Sequence, residues 1–180
     1  MKPRPRQRPA RLQVEITIDA GGWDGLENLE SLAEGAARAA LRACGRPDTG
    51  EISLLLTDDQ RLRALNRRFR NKDAPTNVLS FAAASPTAGA GLQGARGDIA
   101  LAFETIAGEA AGDGKTIADH LSHLIIHGTL HLVGYDHENA ADGDAMEALE
   151  ISALASLGIA NPYLLPHCES EAQTNHDHER

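Results

Sequence analysis

From Leu12 onward the chain alternates. Leu12, Val14, Ile16 and Ile18 are apolar, and Gln13, Glu15, Thr17 and Asp19 between them are polar, the period-two pattern of a strand with one buried face. After Gly21-Gly22 the period changes. Leu29, Ala33, Ala36 and Ala40 recur at helical spacing, predicting a helix over 26–43 that Gly45 and Pro47 stop. Glu51–Leu56 reads as a second strand, and Thr57 or Asp58 then caps a short helix whose Leu62, Leu65 and Phe69 share a face, with its basic residues turned outward. Val78–Phe81 and Asp98–Phe103 read as two more strands, joined by an Ala/Gly/Pro/Ser loop over 82–97 that has no periodicity and is expected to be mobile. Helical patterns follow over 105–111, 116–133 and 140–157, the last two closed by Gly134 and Gly158.

Strands interleaved with helices and no internal repeat predict an α/β or α+β domain with a small, partly parallel sheet. A length of 180 residues fits one domain, over 12–163. Residues 1–11 form a basic, flexible N-terminal extension in this reading, and 164–180 a disordered tail whose His167, His176 and His178 are given no role.

Apolar residues make up 42% of the chain but aromatics only 3%, so Ala, Leu, Ile and Val must build the core. Apolar runs such as Leu124-Ile125-Ile126 are too short to span a bilayer, and no apolar segment follows the basic start as a secretory signal requires. Cys44 and Cys168 are the only cysteines, which disfavours a disulfide framework and fits a reducing cytoplasm. A net charge of −9 argues against a nucleic-acid partner only if it is evenly spread. It is not. Residues 1–11 and 61–72 hold only bases, the latter Arg61, Arg63, Arg67, Arg68, Arg70 and Lys72, while acids dominate after Asp136.

The sharpest chemical signal is His127-Gly-Thr-Leu-His131-Leu-Val-Gly134-Tyr-Asp-His137. Residues four apart on a helix stack at roughly 6 Å, so His127 and His131 can converge on one ion. Gly134 permits a left-handed turn that returns the chain and brings His137 back as a third ligand. Three protein ligands leave a fourth zinc position open, the coordination of a catalytic site. His123 lies about 6 Å, and His120 about 10 Å, farther along the axis than His127. Neither reaches the ion, and His123 is instead a candidate to support the ligands from behind. Asp136, beside His137, is a second such candidate.

The same spacing occurs in metzincin proteases, where the residue after the first His is a Glu acting as general base. Here it is Gly128, which removes the obvious water-activating group. The motif resembles instead the signature H-G-x-L-H-L-x-G-Y-D-H of the YbeY endoribonucleases, rRNA maturation factors. The likeness extends to Leu65-Asn66-Arg67-Arg68-Phe69-Arg70-Asn71-Lys72-Asp73-Ala74-Pro75-Thr76-Asn77-Val78-Leu79-Ser80-Phe81, to Gly97-Asp98-Ile99 and to Leu157-Gly158-Ile159. Ala82 departs from the Pro that many members carry after the Ser-Phe pair.

That resemblance implies an α+β fold with αβα layering: a small mixed four-stranded sheet packed with helices, one of them carrying the ligands. It implies one zinc ion on His127, His131 and His137. It further implies a single-strand-specific endoribonuclease that processes the 3′ end of small-subunit rRNA and serves ribosome quality control. Arg70, matching the family's arginine, is the residue expected on the scissile phosphate, because a guanidinium offers a bidentate fork to its oxygens. Arg61, Arg63, Arg67, Arg68 and Lys72 are expected to attract the RNA backbone. Two other readings remain: a metzincin-like zinc protease, and a zinc-stabilised, ribosome-associated RNA-binding protein with little catalysis.

Overall fold

Four strands, β1 (Gln13–Ile18), β2 (Glu51–Thr57), β3 (Val78–Ala82) and β4 (Ala95–Ala102), form one sheet in the order β1-β2-β4-β3. β1, β2 and β4 are parallel, and β3 runs antiparallel to β4 at an edge, so the sheet is mixed. Five α-helices complete the element order: α1 (Leu29–Ala43), α2 (Asp59–Arg70), α3 (Phe103–Gly112), α4 (Ile117–Leu132) and α5 (Ala140–Ser156). This computed structural model describes residues 11–83, 95–137 and 139–164. Nearly all of the basic N-terminal extension, most of the loop expected over 82–97, and the tail from 165 with Cys168 and its three histidines lie outside the described residues.

Strand alternation divides the core. Ile52, Leu54, Leu56, Ile99 and Leu101 face a large cluster with α1, α4 and α5, while Leu79, Ala100 and Ala102 meet Leu62 of α2 in a second, smaller cluster. Helices therefore cover both faces of the sheet, the αβα layering of an α+β domain. On α1, Ala33, Ala36, Ala37 and Ala40 are fully buried. Their small side chains let α1 pack closely against α4 and α5.

Several element boundaries differ from the periodicity reading, each for a local reason. The first helix begins at Leu29, not near Leu26, because Trp23–Gly25 forms a 3-10 turn. Trp23 is buried there, donating Nε1–H to the Thr57 carbonyl at 3.2 Å and meeting Phe103 edge-on. α3 starts directly at the end of β4, because Asp59 Oδ1 accepts from both the backbone N–H and the hydroxyl of Thr105. Asp58, not Thr57, caps α2, accepting from the Arg61 N–H at 2.7 Å.

Two faces are less buried than expected. β1 is an edge strand, and burial falls from Leu12 to Ile18, which is 49% exposed. Along α2, Leu62 is buried and Leu65 half-buried, but Phe69 is 56% exposed and rests edge-on against Phe81.

Candidate metal centre

α4 is capped by Thr116, whose side chain accepts from the Asp119 N–H at 3.0 Å, and runs through a buried apolar stretch to His131 and Leu132. Gly134 then adopts φ +98, and the Tyr135 N–H returns to the Leu130 carbonyl at 3.1 Å, closing the helix in a left-handed turn. That reversal brings His137 back beside the last two turns of α4. Ring centroids lie 4.5 Å apart for His127 and His131, 5.5 Å for His127 and His137, and 5.1 Å for His131 and His137. One nitrogen from each of the three rings lies within 4.8 Å of the others.

The ring tautomers follow from what sits behind them. His127 Nδ1 is 2.8 Å from Glu150 Oε1, and His131 Nδ1 is 2.9 Å from the Tyr135 carbonyl oxygen. A carboxylate and a carbonyl only accept, so both Nδ1 atoms carry the proton. In the neutral rings the two Nε2 lone pairs then face each other across 3.0 Å. Two acceptors at that distance repel unless a cation lies between them, and three imidazoles are a donor set suited to zinc. Burial, followed by the neighbouring His127, holds His131 below the usual imidazole range and so favours its neutral form.

Glu150 of α5 is the residue that sequence reasoning missed. Its side chain is 1% exposed and receives His127 Nδ1–H, His123 Nε2–H at 2.7 Å and the Tyr163 hydroxyl. Burial pushes this carboxyl up, but the hydrogen bonds from His123, His127 and Tyr163 outweigh it and bring the group to about 2. Burial and the adjacent Glu150 carboxylate raise Tyr163, so its phenol remains a donor. No motif announces Glu150, because it lies 23 residues from its partner His127 and is joined to it only by the packing of α5 on α4.

The other expected residues fall into place unequally. His123 touches Glu150, not a ligand imidazole, and so acts one step farther back than a direct support. His120 turns to Glu109 at 2.7 Å. Asp136 Oδ1 accepts from the His137 backbone N–H at 2.7 Å, fixing the loop and not the ring. Arg70 lines the same cleft as the three histidines, about 630 Å³ in volume, together with Asn77, Ser80 and Tyr135. Arg61, Arg63, Arg67, Arg68 and Lys72 are exposed but do not line it. Arg63 is instead held by Asp73 through contacts of 2.7 and 3.2 Å, and Arg68 lies over the Phe69 ring.

Gly128 decides a chemical question. A Cβ there would lie 2.9 Å from both Ile99 Cδ1 and Ser80 Oγ, where α4 crosses the sheet. A glutamate at this position, the base of the metzincin arrangement, would have to displace those two side-chain ends, and the chain carries none there.

The family model described as Endoribonuclease YbeY matches residues 21–158. A protein named Endoribonuclease YbeY from Azorhizobium caulinodans is 47% identical over 157 residues, covering 86% of this chain and 98% of its own. One of the same name from Jannaschia sp. is 48% identical over 161 residues, covering 84% and 100%. The solution structure of TM1509 from Thermotoga maritima superposes with a TM-score of 0.50 at 23% identity, covering 81% of this chain and 91% of that one, a likeness of fold. With its imidazole cluster, its glycine-closed helix and relatives matched along nearly their whole length, the chain belongs to the YbeY endoribonuclease family.

Proposed function

We propose that this protein is a zinc-dependent, single-strand-specific endoribonuclease of the cytoplasm, acting in 3′-end processing of small-subunit rRNA and in ribosome quality control. The observation that carries the reading is the convergence of His127, His131 and His137 in one cleft with Arg70, with Gly128 standing where a metzincin protease has its glutamate base. The endoribonuclease names of the full-length relatives support the reaction class. Among the described residues no helix is long and apolar enough to cross a membrane.

In this mechanism the three imidazoles would hold one zinc ion, which would supply Lewis-acid activation of water and of the phosphoryl group. Arg70 binds the two non-bridging phosphate oxygens through its planar fork and neutralises the charge that builds on them. Glu150 takes the His127 Nδ1–H, which fixes that ring's tautomer and turns its Nε2 toward the other two histidines. The Tyr135 carbonyl does the same for His131. Asp136 holds the backbone at His137, so the third ring arrives on an ordered loop.

The test offers purified, zinc-loaded protein single-stranded rRNA fragments and, separately, casein, with His127→Ala and Arg70→Ala as controls. RNA cleavage lost in both variants is the expected result. Unchanged cleavage in both would overturn the mechanism, and cleavage of casein would restore the protease. RNA binding without cleavage by the wild type would point to a ribosome-associated binding protein.

A further inference from the structure

The sheet face that carries α2 is only partly covered. Beside that helix lies an open groove of about 470 Å³, its apolar walls formed by Leu55, Leu65, Phe69, Phe81 and Ala100. Thr17, Ser53 and Asp98 stand along it with polar side chains. Phe69 is 56% exposed, an unusual placement for one of only three phenylalanines in the chain. It is held in place: its ring meets Phe81 edge-on at 5.1 Å, and the Arg68 guanidinium lies over it at 5.1 Å.

The groove adjoins the metal cleft through neighbouring residues. Phe69 lines the groove and Arg70 the cleft, and Phe81 lines the groove while Ser80 lines the cleft. Both pairs sit where strand β3, at the sheet edge, and the C-terminal end of α2 come together. A strand of nucleic acid whose phosphate rests on Arg70 reaches Phe69 by rounding this sheet edge. Arg67 and Arg68, which make no ion pair among the described residues, supply positive charge on the same helix. Unpaired nucleobases match this lining: their faces are flat and apolar, and their edges carry donors and acceptors. The Thr17 and Ser53 hydroxyls can serve either kind of edge, and the Asp98 carboxylate accepts from exocyclic amines. Stacking requires a base free of a duplex partner, so the site selects single strands.

We infer that the Phe69–Phe81 groove is a docking site for unpaired nucleobases of the RNA strand that enters the metal cleft. This rests on the endoribonuclease reading and adds to it a second point of contact, on the opposite face of the sheet, that discriminates single-stranded from paired substrate.

The test measures binding of zinc-loaded full-length protein to a labelled oligouridine and to the same oligomer with abasic sites, for the wild type, Phe69→Ala and Phe69→Tyr. Zinc content and melting temperature confirm that each variant is folded. Phe69→Ala is expected to weaken oligouridine binding about tenfold while Phe69→Tyr retains it, and the abasic oligomer should bind wild type and Phe69→Ala alike. Oligouridine binding unchanged in Phe69→Ala, or an equal loss for both oligomers, would overturn the base site and leave the endoribonuclease reading standing. A protein partner that loses binding to Phe69→Ala while RNA binding stays intact would assign the groove to that protein and equally overturn it. If the wild type bound no single-stranded RNA, the endoribonuclease reading itself would fail.

Discussion

His127 Nδ1 donates to Glu150 Oε1 at 2.8 Å while the opposite nitrogen of the same ring faces His131. The carboxylate thus works through the imidazole, holding it in the one tautomer that leaves Nε2 free to ligate. Glu150→Gln keeps the shape but removes the charge, and its amide can offer a donor where His127 needs an acceptor. Zinc affinity should fall about 10–100-fold, read by competition with a chromophoric chelator. Wild-type affinity in this variant would show that the ring is oriented by α4 alone.

The same carboxylate predicts how the metal-free protein responds to acid. Its folded-state value of about 2 lies below that of an unfolded glutamate, so the folded state binds this proton less readily. The group therefore contributes its full stability above the unfolded value, about pH 4.3, and loses it as the pH falls toward 2, by up to about 3 kcal/mol. Urea midpoints taken across that window should fall more steeply for the wild type than for Glu150→Gln. Parallel slopes would remove Glu150 as the source.

This part of the centre also marks the limit of what the sequence discloses. The three candidate ligands are legible because two of them obey helical spacing and the third follows a glycine that closes the helix, all within eleven residues of chain. Glu150 and Tyr163 reach the centre only after α5 has packed on α4, and local periodicity carries no trace of that packing. The strands were legible by alternation except at the edges. There, Ile18 keeps the pattern of a buried residue while lying half in solvent, and Phe69 does the same on the helical face of α2, because periodicity records which face a side chain takes and not whether anything covers it.

Gly128 gives a packing prediction. A methyl group at that position would meet Ile99 Cδ1 and Ser80 Oγ at 2.9 Å, so both side chains would have to shift. Gly128→Ala should therefore destabilise the fold by about 1–3 kcal/mol despite the better helix propensity of alanine, a drop readable as a lowered melting temperature. An unchanged or raised melting temperature would mean that the crossing of α4 over β3 and β4 has slack, and would reopen the position to a larger residue.

Arg70 separates electrostatic attraction from fit. It follows Phe69 at the end of α2 and projects into the metal cleft, whereas Arg61, Arg67 and Arg68 on the same helix do not line it. If its planar fork holds the scissile phosphate, Arg70→Lys preserves the charge but not the two parallel hydrogen bonds, and so should recover little of what Arg70→Ala loses. We expect kcat/KM on single-stranded RNA to fall about 100-fold in Arg70→Ala, with zinc affinity unchanged because no ligand imidazole depends on this side chain. Arg67→Ala, by contrast, should lower affinity modestly and reduce its salt dependence while leaving kcat intact, the behaviour of a charge that attracts the backbone without touching the reacting phosphate. Steady-state kinetics at two salt concentrations distinguish the two. Equal and purely salt-dependent losses in both variants would place Arg70 with the other exposed arginines and leave the cleft without a phosphate ligand of its own.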